Sequence, residues 1–301
     1  TALAVESDND YSRMEKIRSI CEEMHHAWKK KGARRIPEIP EKPVWSEFSE
    51  LDDYEKMRSD TAKLPVAYNA ANASVYGIDL SRVYCYLICG MARSGKTNFL
   101  KVCIQAAMDK EARICVIDSP AKDLRVYEKE NIVYADNEER IFEFFSDLLP
   151  EFKRRNQMKV QMLNEEMEEE QIFEEMSKEV PYFIFISDLA WFIPFVYHAE
   201  KNMQGFLENI IEKGRLHNIY FFADMALEDR YGLEEYTLYD HFIEHKTGVH
   251  FGGKVEDNQI FNFDYMSYME KTKGELPGIG YLPDVMSESD TSRIVVPFAR
   301  R

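Results

Sequence analysis

The sequence predicts an α/β fold: a mostly parallel central sheet flanked by helices, with antiparallel strands toward the C-terminus. Three observations predict it. Short apolar runs rich in β-branched and aromatic residues recur at 82–89, 112–118, 131–135, 182–188 and 219–224, each the length of a strand. Helix-patterned segments separate them at 96–109, 138–178 and 199–213, and such alternation favours parallel strands covered on both faces. Residues 246–298 are strand-rich and broken by glycine and proline turns, as in a sheet that continues antiparallel.

Upstream of this alternation, residues 1–9 read as a loose polar end. Within 11–31, Met14, Ile17, Ile20, Met24 and Trp28 recur at helical spacing, which predicts an amphipathic helix. The stretch "RIPEIPEKPVW" (35–45) reads as an extended linker, because proline blocks both helix and sheet. A short polar helix and then edge strands in "LPVAYNAANASVYGIDL" occupy 45–80. Two parts result: 1–44, a helix with a proline-rich inter-domain linker, and 45–301, the α/β domain.

Composition narrows the function classes. The chain of 301 residues is 45% hydrophobic, enough to bury a sizeable core. Against 38 basic residues stand 54 acidic ones, a formal charge of −16. So acidic a surface repels phosphate backbones, which speaks against nucleic acid as a partner. The basic cluster "WKKKGARR" (28–35) is diluted by Glu38 and Glu41 and reads as a solvated helix end. Cys21, Cys85, Cys89, Cys103 and Cys115 form no C-x-x-C pair; free thiols in a reducing compartment are expected. No signal peptide and no run of membrane-spanning length is present. The chain opens on Thr1, so a fragment of a longer protein is expected, with any membrane anchor outside it.

The chemistry is concentrated in "GMARSGKT" (90–97), which fits G-x4-G-K-[ST] at every fixed position. An apolar strand enters the stretch and an amphipathic helix leaves it, the context a phosphate-binding loop needs. Gly90 and Gly95 let the backbone wrap the phosphates, and Lys96 brings a point charge. Thr97 offers a hydroxyl to Mg²⁺, and the helix turns its first amides toward the anion. The expected ATP-binding residues are Gly90, Met91, Ala92, Arg93, Ser94, Gly95, Lys96, Thr97 and Asn98. A second acid at the end of another strand is needed to hold Mg²⁺, and "YFIFISDLAWF" supplies Asp188. The next residue is Leu189, which cannot orient a water, whereas a general base contributes roughly 100- to 10,000-fold.

With these stretches in view, the region 36–298 resembles the FtsK/SpoIIIE/HerA class of P-loop translocase ATPases, and within it the cytosolic domains of type VII secretion motors (EssC/EccC-like). "GIDLSRVYCYLICGMARSGKTNFL", "FIFISDLAWF", "EKGRLHNIYFFADM" and "LPGIGYL" carry the resemblance. It implies a RecA-like P-loop NTPase fold, ATP and Mg²⁺ as cofactors, and a cytoplasmic domain of a bacterial cell-membrane protein. It implies as partners the other ATPase domains of the same motor and small helical secreted proteins of the WXG100 type. It places a γ-phosphate sensor at Asp224 and an adenine-side loop at Gly278, Gly280 and Tyr281. Active members carry a glutamate at Leu189 and Ala-Thr-Gln where this chain has Ala223, Asp224 and Met225. These departures predict a degenerate, C-terminal (third) domain that binds nucleotide and hydrolyses it slowly or not at all, acting by regulation or substrate recognition. The alternative is a hydrolytically active P-loop translocase or phosphotransferase.

Three other stretches have two readings each. "HFIEH" (His241, Glu244, His245), with His250 nearby, fits an inverted zinc-protease signature; strand and turn residues follow it, so an accidental match is the preferred reading. The acidic run 164–179 reads first as a solvated helix face and second as a dock for a basic partner. The aromatics at 190–198 read as a loop packed on the sheet, or else as an exposed docking patch.

Overall fold

The computed structural model describes residues 9–27, 38–129, 131–287 and 291–299. Contacts divide the chain into two units, Thr1–Pro37 and Glu38–Arg301. The first contains helix α1 (Asp10–Ala27). Of its apolar stripe, Met14 and Met24 are exposed while Ile17 and Ile20 are half-buried. Trp28 and the basic cluster lie outside the described residues.

The second unit begins with α2 (Trp45–Phe48) and α3 (Asp52–Arg58), whose Trp45, Phe48 and Tyr54 form a cluster of rings on the sheet. In chain order follow β1 (Lys63–Asn69), β2 (Val75–Asp79), β3 (Cys85–Gly90), α4 (Lys96–Met108), β4 (Arg113–Ile117) and β5 (Val133–Ala135). Then come α5 (Glu138–Asn164), α6 (Glu169–Met176), β6 (Tyr182–Ile186), α7 (Leu189–His198), α8 (Gln204–Lys213) and β7 (Ile219–Ala226). The chain closes with α9 (Thr237–Ile243), β8 (Gly248–Gly253), α10 (Tyr268–Lys271), β9 (Glu275–Tyr281) and β10 (Arg293–Val295).

All ten strands form one sheet in the order β2-β1-β10-β9-β8-β3-β7-β6-β4-β5. From β8 to β5 the pairs are parallel; from β9 to β2 they are antiparallel. The α/β class and the antiparallel continuation are therefore both present. Strand parity explains why the parallel strands read as continuous apolar runs. Along β3, Tyr86 and Ile88 enter the core on the α4 side, while Leu87 and Cys89 enter the core under α5, α7, α8 and α9. Burying each large apolar side chain is worth roughly 1.5–3 kcal/mol, so both faces hold the sheet. Cys85, Cys89, Cys103 and Cys115 are free and buried, and Cys21 is free and exposed.

An arginine is buried under the sheet's helical cover. Arg155 of α5 is 1% exposed, and its guanidinium donates to the carbonyls of His217, Asn218 and Val180 and to Glu151. It satisfies the carbonyls just before β7 and β6, tying the helix to the starts of both strands.

Several elements differ from the sequence reading. The helix expected over 138–178 is two helices, because Glu166 takes a left-handed conformation (φ 59°) and the Glu168 N–H is capped by the Gln171 side chain at 3.0 Å. The first face of α6 buries Ile172 and Met176, and Glu169 pairs with Arg215. The aromatic stretch after β6 is a helix, α7, not a loop: Leu189, Phe192, Ile193 and Val196 are buried at helical spacing. The helix expected from 199 begins at Gln204, and α9 covers a segment given no helix in the sequence.

Candidate functional site

The site is assembled where β3 ends and α4 begins. Gly90, the last residue of β3, has its Cα against β8: a Cβ would overlap the carbonyl of Phe251, which accepts from the Met91 N–H at 3.1 Å. The loop then turns through Arg93 (φ 61°) to Gly95 (φ 106°), which caps α4. Left-handed steps of this kind are the ones that turn backbone N–H groups toward an anion in phosphate-binding loops; here the Ser94 N–H donates to Met91 O at 3.4 Å. Met91, Ala92 and Arg93 are exposed at the loop's tip, while Ser94 is buried. The Lys96 ammonium donates to the carbonyls of Gly90 (3.1 Å) and Met91 (2.7 Å). Burial pulls its pKa below the ordinary lysine value, while Asp224 and Glu228 oppose that shift.

Thr97 donates its hydroxyl to Asp224 Oδ2 at 3.0 Å, and the other carboxylate oxygen of Asp224 accepts the Asp188 N–H at 2.8 Å. Asp224 is 6% exposed, and burial, first of all, raises its pKa. A hydroxyl and a buried carboxylate are hard oxygen donors, so the residues present fit Mg²⁺. Asp188 itself is exposed and left-handed (φ 62°), and its carboxylate accepts the Trp191 N–H at 3.2 Å, capping α7. The structure thus brings Thr97 to Asp224 and turns the Asp188 side chain toward α7.

No protein-family model matches the chain. Over 165 residues, 54% of its length, it is 26% identical to the ESX secretion system protein YukB of Bacillus subtilis (strain 168), spanning 11% of that protein. Its structure matches EssC (ATPases 2 and 3) from Geobacillus thermodenitrificans with a TM-score of 0.74 at 17% identity, covering 98% of this chain and 52% of that one. Thermomonospora curvata EccC (ATPases 2 and 3), in complex with a signal sequence peptide, matches with a TM-score of 0.64 at 15% identity, over 98% of this chain and 50% of that one. The fold is that of an EssC/EccC-like P-loop ATPase domain. The chain spans about half the length of these EssC and EccC chains.

Within this EssC/EccC-like fold, the remaining expected site residues are distributed unevenly. Gly278 touches the loop, its N–H donating to Ser94 O at 2.9 Å. Gly280 and Tyr281 lie further along β9, between β8 and β10, and the Tyr281 hydroxyl donates to Glu275. The Asn98 amide faces the C-terminal segment: Nδ2 donates to Pro297 O at 3.0 Å, and Oδ1 accepts the Ala299 N–H at 2.9 Å. Leu189 is 1% exposed and packs in the core with Ile186, Phe192 and Leu238. Met225 and Ala223 enter that same core, so only Asp224 of the three faces the loop.

Sequence reasoning missed Glu228 and Asp229, in the turn after β7, whose charges act on Lys96. Asp229 is raised by burial and then by Asp188 and Glu228. They follow the "ADM" stretch by three residues, but only the strand order shows that they overlook the loop. The zinc-like signature does not form one helix face: α9 ends at Ile243, which leaves Glu244 and His245 beyond it. His250 is buried on β8 beside Asn258, 3.0 Å from its amide nitrogen. No group of three metal-binding side chains occurs among the described residues, nor any helix long and apolar enough to cross a membrane.

Proposed function

We propose that this chain is a nucleotide-binding domain of a type VII secretion motor that holds Mg-ATP and hydrolyses it slowly or not at all. The observation that carries the reading is the loop: strand, left-handed turn, Lys96 and helix N-terminus stand in the order and conformation that cradle a polyphosphate. The loop amides and Lys96 grip the phosphates, and Thr97 offers its hydroxyl to the cation. Slow chemistry is supported by the departures from the sequence pattern of active members at Leu189, Asp224 and Met225. Ordered by nucleotide, the domain would act in protein export by regulation or by substrate recognition, as the C-terminal (third) ATPase of its motor. Its partners would be neighbouring ATPase domains of the same motor and small helical secreted proteins of the WXG100 type. It would be cytoplasmic, reaching the bacterial cell membrane only through an anchor elsewhere in the motor.

Titration of the protein with ATP in Mg²⁺ buffer tests the binding step. One equivalent should bind, and Lys96→Ala should weaken binding by at least about tenfold, the equivalent of about 1.4 kcal/mol. Equal affinity in wild type and variant would refute the loop as the site.

A further inference from the structure

We propose that Asp224, not Asp188, is the carboxylate through which the nucleotide site holds its divalent cation, so that ATP binding depends on the cation through Asp224. The inference rests on the nucleotide-binding reading above and assigns the metal to a different strand.

β7 lies between β3, which carries the loop, and β6, which carries Asp188. The register pairs Ile88 of β3 with Asp224, and Ile186 of β6 with Ala223. Parity then decides which face each residue serves. Phe183 and Phe185 of β6 point to the α4 side and Ile184 and Ile186 to the other. The next residue on the α4 side of β6 is therefore Ser187, which is buried, and not Asp188. On β7, Tyr220 and Phe222 serve the α4 side, and Asp224 continues that series. At the end of β6 the residue on the α4 side is thus Ser187, and the adjacent strand supplies an acid on that side.

Thr97 Oγ1 and Asp224 Oδ2 are 3.0 Å apart. Adjacent oxygens around octahedral Mg²⁺, each about 2.0–2.1 Å from the metal, are about 2.8–3.0 Å apart. The two groups can become neighbouring ligands without moving relative to each other once the hydroxyl proton turns away. The Asp188 N–H, 2.8 Å from Asp224 Oδ1, fixes the carboxylate plane as a supporting contact would. The Asp188 side chain, by contrast, is engaged with the first turn of α7.

A carboxylate 6% exposed is stabilised in its charged form by a cation beside it. Lys96, whose charge acts on it, directs its ammonium to the Gly90 and Met91 carbonyls. With a divalent cation bound, Asp224 attracts the nucleotide complex; without one it repels the phosphates. The sign of its effect on ATP therefore depends on the metal.

Calorimetric titration of ATP into wild type, Asp224→Asn and Asp188→Asn, each in Mg²⁺ and in EDTA, tests this. Wild type and Asp188→Asn should both bind ATP at least tenfold more tightly in Mg²⁺, and asparagine keeps the cap on α7. Asp224→Asn should bind with nearly the same affinity in both buffers, with a melting transition confirming that it is folded. Loss of the Mg²⁺ effect in Asp188→Asn overturns the inference, and this arm decides even if Asp224→Asn does not fold. A folded Asp224→Asn that keeps the tenfold Mg²⁺ effect overturns it too. Wild type that binds ATP in neither buffer overturns the nucleotide reading and this inference with it.

Discussion

The N–H of Gly278 donates to the carbonyl of Ser94 at 2.9 Å, so the antiparallel strand β9 is bonded directly to the phosphate loop. The C-terminal strands therefore brace the site as well as extend the sheet. Gly278 has φ +84° with open space where a Cβ would stand, whereas a Cβ on Gly280 would come within 2.6 Å of Val249 Cγ2. Gly278→Ala should cost about 1–2 kcal/mol through left-handed strain and weaken ATP binding by loosening Ser94. Gly280→Ala should cost about 1–3 kcal/mol through overpacking and leave ATP affinity nearly unchanged. Denaturant melts and ATP titrations of both variants separate the two effects; equal loss of affinity would contradict the bracing role.

The sequence resemblance leads one to expect a glutamate in place of Leu189, but the Leu189 side chain is 1% exposed in the core. Leu189→Glu should therefore destabilise the protein by several kcal/mol, since it buries an unpaired carboxyl. It should not raise turnover. Increased ATP hydrolysis in a folded Leu189→Glu would show that the position faces the site after all.

Asn98 follows the loop, yet both ends of its amide hold the segment at Pro297 and Ala299. Asn98→Ala should lower stability by about 1–3 kcal/mol, two hydrogen bonds' worth, with ATP affinity within about a factor of two of wild type. A tenfold loss of affinity with unchanged stability would return Asn98 to the nucleotide site.

Two buried histidines make stability pH-dependent. Burial lowers His217 to about 3 and His250 to about 4 from the ordinary 6.5. Both are neutral in the folded protein, and the unfolded chain takes up their protons first. Their contribution is therefore full above pH 6.5 and falls as pH drops toward 4, by about 1.4 kcal/mol per pH unit for each. Melting from pH 7 to 5 should show this slope. His217→Phe, which keeps a ring against Phe152, should roughly halve it; a flat profile in wild type would contradict the burial.

What was legible in the sequence is what is contiguous in it. "GMARSGKT" needs only its own backbone and its flanking strand and helix, and YFIFI declares a strand buried on both faces. The helix α7 was also written in the spacing of Leu189, Phe192, Ile193 and Val196, but aromatics and Pro194 obscured it. The approach of Asp224 to Thr97 was not legible. It depends on β7 being inserted between β3 and β6, a non-local pairing that 127 residues of separation conceal. The same order brings Glu228 and Asp229 toward Lys96 and sets β9 against Ser94.

Whether the site grips ATP without much chemistry is decided by steady-state phosphate release from the wild-type protein at an ATP concentration already shown by titration to saturate it. Stoichiometric binding is expected, with turnover far below the roughly 1 s⁻¹ at the low end of ordinary enzymes. Turnover at or above that rate, abolished by Lys96→Ala, would contradict it.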